Sequence, residues 1–138
     1  MASFNKFQPF VESLAEKVFN LGSDQLKIAL TAAANAPVNT NSVLANLTEI
    51  SYTNCSTRNV TTSSSSQSGG TYKLVCADLT LTASGGTVGP FEYVILYDDT
   101  ATNKDLIGWW DYGSNVTLND TETFLIDFSA ANGVLQIA

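Results

Sequence analysis

From Leu26 onward, apolar residues recur at every second position in short runs. Each run ends in a cluster of Gly, Pro, Asn, Asp or Ser. A period of two places successive side chains on opposite faces of an extended backbone, so this pattern commits most of the chain to half-buried strands. Leu26, Ile28 and Leu30 alternate with Lys27, Ala29 and Thr31. Tyr72, Leu74 and Cys76 repeat the pattern, and Leu79, Leu81 and Ala83 carry it on in the opposite parity. A parity flip between Ala77 and Asp78 would swap the buried face, so a bulge or a bend from one sheet to another is expected there. Phe91 to Tyr97 is apolar on both faces and predicts a central strand. Arg58–Thr62, Leu106–Tyr112, Phe124–Phe128 and Val134–Ile137 bring the expected total to about eight strands. That spacing predicts a mainly β fold, an antiparallel β-sandwich or jelly roll. Ser63–Gly70, with no apolar residue, reads as a flexible loop tip, and Ser84–Thr87 as a hairpin turn.

The first 22 residues follow another rule. Phe7, Phe10, Val11, Leu14, Val18 and Leu21 recur at spacings of three and four, which predicts an amphipathic helix over Pro9–Asn20 stopped by Gly22. The chain therefore divides into an N-terminal arm and helix, 1–22, and a β domain, 23–138, in one compact domain. Phe4, Phe7 and Phe10 on the arm either cover the domain's own core or reach to a neighbouring chain. Removing residues 1–10 is expected to abolish partner binding and leave the β fold intact.

Composition decides which chemistries remain. Charged residues are 14% of the 138, about half the usual share, and 16 Thr, 14 Ser and 12 Asn supply the polar surface instead. There is no histidine, which excludes Ser-His-Asp and Cys-His nucleophiles, histidine-ligated metals and imidazole pH switches. The net charge is −7 and the six cations are scattered, so no nucleic-acid partner is expected. No secretory signal and no apolar run of membrane length is visible, so neither membrane association nor use of the five N-x-[ST] sequons is expected. Cys55 and Cys76 are expected as free thiols.

The remaining candidates each have a plain reading. Gly85-Gly86-Thr87-Val88-Gly89-Pro90 lacks the Lys-Ser/Thr of a phosphate loop. Asp98, Asp99, Asn103 and Asp105 cluster without calcium-loop spacing and read as a solvated turn, so no metal or other cofactor is expected. Asp78, Glu92, Asp111 and Asp127 could form a glycosidase pair, but nothing in their spacing brings two together. Trp109 and Trp110 are adjacent on one strand, so one belongs to the core and the other to a surface or interface.

Several segments taken together resemble the small head decoration, or cement, proteins of tailed bacteriophages. They are Met1–Phe7 leading into the helix, Leu26–Thr31, Ala83–Phe91, Leu96–Asp99, Leu106–Gly113 and Phe124–Phe128. The resemblance spans nearly the whole chain as a pattern without a diagnostic motif. It implies a non-enzymatic virion structural protein, assembled in the host cytoplasm as a homodimer or homotrimer. Its partner would be the major capsid protein, bound across subunit joints on the outer surface of the head. Phe4, Phe7, Phe10, Trp109 and Trp110 are the expected contact residues. The alternative is a tail or fibre-tip module that recognises a host surface glycan.

Overall fold

A computed structural model describes residues 2–138. Strand holds 45% of the chain and helix 10%, which meets the mainly β expectation. Ten strands form: β1 (Asn5–Lys6), β2 (Leu26–Thr31), β3 (Asn59–Val60), β4 (Thr62–Ser68), β5 (Thr71–Cys76), β6 (Leu79–Thr82), β7 (Val88–Asp98), β8 (Leu106–Leu118), β9 (Thr123–Ile126) and β10 (Leu135–Ile137). One helix, α1 (Gln8–Ala15), follows β1. All pairings are antiparallel, in sheets ordered β1-β8-β7-β2-β3, β10-β5-β4 and β6-β9.

The doubly apolar run is the central strand of the largest sheet, as its pattern predicts. In β7, Val94, Ile95, Leu96 and Tyr97 are all buried. Partnered residues share a face, so Leu26, Ile28, Leu30, Leu96, Val94, Gly108 and Trp110 lie on one side of this sheet. Ala29, Ile95 and Trp109 lie on the other. Leu74 and Cys76 of β5, Leu81 of β6 and Ile126 of β9 belong to the same buried cluster as this sheet. The parity flip after Ala77 is where the chain leaves the three-stranded sheet and enters the two-stranded one.

Four local expectations are corrected. The helix ends at Ala15, not Asn20. Lys17 adopts a φ of 68°, and the Lys17 and Val18 N–H groups fold back on the Leu14 and Ser13 carbonyls. That Schellman closure terminates the helix before Gly22 is reached. It sends Phe19 back over Phe10, with ring centroids 5.0 Å apart.

The serine run is strand β4, not a loop tip. It pairs with β5 through a turn in which Gly69 and Gly70 both have positive φ. Two such residues suit the tight hairpin turn whose twist matches the strands. A strand exposed on both faces has no apolar alternation, so the pattern cannot reveal it. Next, β3 stops at Val60, and the chain changes sheets before Thr62, which already pairs with Cys76 of β5. Finally, Ser84–Thr87 is not a hairpin turn, because β6 pairs with β9 and β7 with β8. It is a crossing between sheets, held by Gly85 N–H on Asp120 and by the Asn54 amide on the Thr87 carbonyl.

Candidate functional site

The arm straddles the edge of β8. Asn5 pairs with Trp109 and Lys6 with Gly108. This two-residue strand throws Phe4 to one face of the sheet and Phe7 to the other. Phe7 is fully buried against Trp109, with centroids 4.7 Å apart. Phe4 lies 5.2 Å from Trp110, which in turn meets Phe128 at 5.8 Å. Gly108 makes the approach possible, since a Cβ there would overlap both the Phe4 ring and the Asn5 carbonyl.

The predicted contact residues therefore separate. Phe7, Phe10 and Trp109 are buried at 0%, 5% and 9% exposure and belong to the chain's own core. They are not available as surface contacts in this fold. Removing residues 1–10 would strip two core rings and an edge strand, so the β fold is not expected to survive that truncation unharmed. Phe4 and Trp110 remain half-exposed and line a groove of about 370 Å3. Phe124 and Phe128 extend its wall, and Phe124 stacks edge-on against Tyr112 at 5.2 Å. Tyr112 and Leu125 stand more than half exposed beside it. Asp127, Ser129 and Asn132 supply its polar lip.

Sequence reasoning put one of Trp109 and Trp110 at a surface without saying which, and did not find Tyr112, Phe124 or Leu125 as its neighbours. The reason is a bulge. Between Val116 and Asp111, β8 carries a stretch that β7 spans from Phe91 to Tyr93. The surplus residues project Tyr112 outward, and the whole Asp111–Asn115 stretch is exposed. Gly113, at a φ of 93°, is the only hint of this in the sequence.

The other candidates take separate places. Of the four carboxylates proposed for sugar chemistry, Asp127 alone lines the groove. Asp78 instead accepts the Phe128 N–H at 2.9 Å, and Asp111 accepts that of Gly113. The Asp98–Asp105 turn is not solvated throughout: Asp98 is completely buried and Asp105 nearly so. Burial raises the pKa of Asp105, and burial together with the nearby Asp24 carboxyl raises that of Asp98. Among the described residues no cluster of three acidic or thiol side chains is positioned to hold a metal ion. Cys55 and Cys76 are free thiols, and burial pushes Cys76 up to about 11.

On the far face, Arg58 stacks 3.5 Å over the Tyr52 ring. The Tyr52 hydroxyl accepts the Leu30 N–H and donates to Glu49. This network pins the 43–58 segment to the edge of β2, so its one arginine serves the fold. No known protein family, curated protein or solved structure matches the chain.

Proposed function

We propose that this chain is a non-enzymatic structural protein of a phage virion that decorates and stabilises the capsid. It would bind across major capsid protein subunits on the outer surface of the head, after assembly in the host cytoplasm. The observation that carries the reading is the half-open aromatic groove of Phe4, Trp110 and Phe124, flanked by exposed Tyr112 and Leu125. It sits on a surface in which Ser, Thr and Asn are prominent among the exposed residues. A cluster of aromatic anchors with a neutral polar rim is what a protein partner's hot spot needs. Self-association as a homodimer or homotrimer would repeat that contact by symmetry and add avidity. The fold fits the same role as a two-layer jelly roll, with the five-stranded sheet as one layer and the two smaller sheets as the other. Membership of Leu74 and Cys76 of β5 and Leu81 of β6 in the same buried cluster as that sheet supports this arrangement.

The test is to mix purified protein with heads stripped of accessory proteins and to count bound copies. Saturation at a symmetric lattice number, in hundreds per particle, is expected. A handful of copies, confined to the tail, would overturn the proposal. One observation favours the second reading, a glycan-binding module: Asp127, Ser129 and Asn132 border the aromatic wall, as hydroxyl-binding groups border a sugar-stacking surface. Binding of the isolated protein to host surface polysaccharide, lost in Trp110→Ala, would select that reading instead.

A further inference from the structure

Strand β4 is a free edge of its sheet, and it lacks the usual protection of an edge. It pairs with β5 on one side. In an antiparallel pair only alternate residues turn their N–H and C=O to the partner, so the others in β4 face outward. Among the described residues, no other backbone group bonds to the backbone of residues 62–68. Thr62–Ser68 holds five serines, one threonine and one glutamine, with no charge and no proline. Its register with β5 is unbroken from Ser64 to Ser68. All of these residues but Thr62 and Ser65 are exposed, and the Ser64 and Ser66 hydroxyls bond to each other at 3.2 Å.

The other edges are short, charged or covered. Strands β1 and β3 have two residues each and β10 has three. Strand β9 is four residues long between Glu122 and Asp127. The outer side of β6 is held by Ser56, whose N–H bonds the Thr82 carbonyl at 3.0 Å and whose Oγ accepts the Thr82 N–H at 2.9 Å. Beyond its pairing with β1, β8 bears Asp111 and the bulge. A chain of net charge −7 repels its own copies, and β4 is a strip along which two copies meet without opposing charges. Lys73 lies one strand in, opposite Ser66, with its ammonium on the Ala131 carbonyl at 3.0 Å. Two β4 strands side by side would keep Lys73 and its symmetry mate at least about 14 Å apart, beyond the screening length of physiological salt. The strand that fits beside β4 without stranding an apolar face in water is itself polar on both faces. The chain has one such strand longer than two residues, β4, so each copy carries the match for the next.

We propose that two copies of this chain pair antiparallel through their β4 strands about a twofold axis. The pairing joins two three-stranded sheets into one of six, ordered β10-β5-β4-β4-β5-β10. Such an interface is isologous, with the same strip of each copy serving as both donor and acceptor. It satisfies the outward backbone groups of both edges, and the hydroxyl and amide side chains hydrogen-bond across the seam. A seam of seven residues per copy buries less than about 1,200 Å2, the range of weak association, so the dissociation constant is on the order of 0.1 mM. The inference gives a surface to the self-association in the capsid reading but does not rest on that reading, since it concerns the free protein. No residue of β4 lines the aromatic groove, so the two contacts are separable.

The experiment is sedimentation equilibrium of the full chain from about 10 μM to about 1 mM, for wild type and for Ser64→Glu combined with Ser68→Glu. Both serines are exposed, so the variant should melt where wild type does. Wild type should pass from monomer to dimer across that range. The variant, with like charges brought together along the seam, should dimerise roughly tenfold more weakly. Amide hydrogen exchange should slow with concentration at alternate residues of 62–68 in wild type and nowhere else in the three-stranded sheet. A wild-type monomer at about 1 mM, or a dimer that the substitutions leave unchanged, would overturn the proposal. So would concentration-dependent protection at Tyr112 and Leu125 instead of β4. Protection of β4 that appears only when stripped heads are added would overturn it too, because the edge would then take a strand of the capsid. If the double variant does not fold, the concentration dependence of wild-type exchange decides.

Discussion

Trp109 and Trp110 are neighbours in sequence and identical in chemistry, yet the molecule uses them differently. Trp109 is sealed by Phe7 against Ile95 and Ala29, on the face where the arm closes over the sheet. Trp110 faces the shared core but lies at its open end, where Phe4 and Phe128 touch it and leave a groove beside them. The two-residue strand β1 makes the difference. It presents one phenylalanine to each face, and only on one of them is the aromatic pair closed off. The same strand edge thus carries both a sealed core pair and an aromatic pair that borders an open groove.

The largest effect that would break this comparison lies on the sealed side. Phe7→Ala should cost about 3–5 kcal/mol of unfolding free energy, measured by denaturant titration, because a fully buried ring leaves a cavity. A loss below about 1 kcal/mol would mean that the two faces are not distinct. Gly108→Ala comes next. The added methyl collides with Phe4 and with the backbone of β1, so a loss of about 1–3 kcal/mol is expected, with faster proteolysis of the arm. Phe4→Ala should cost only about 1 kcal/mol, since its ring is half-exposed, while weakening any partner that uses the groove. The smallest effect concerns the thiols. Cys55 should react with a thiol reagent before Cys76, because it is less buried.

The elements with strong apolar alternation were legible in the sequence. Leu26–Leu30, Phe91–Tyr97 and Phe124–Ile126 lie where their period places them, and opposite faces for Trp109 and Trp110 follow from adjacency. Features decided by backbone geometry were not. The Schellman closure at Lys17 ends the helix without a glycine, and the serine strand has no apolar face to mark it. The bulge that exposes Tyr112 depends on how many residues β7 offers opposite it. The groove was half visible for the same reason. Parity says that Trp110 and Phe4 leave the Trp109 face, but only the fold of β9 and the Phe128–Val134 segment brings a second aromatic wall to meet them. The burial of Asp98 was hidden because its polar neighbours read as a solvated turn, whereas its place at the end of β7 opposite Leu26 seals it.

The central claim is that Trp110 serves recognition and Trp109 serves the fold. Its most direct test is the affinity of Trp110→Ala for accessory-stripped heads, measured beside its unfolding free energy. The account predicts a loss of about 30-fold or more in head affinity, corresponding to a hot-spot residue, in a protein that remains folded. Wild-type head occupancy by a folded Trp110→Ala protein would contradict it.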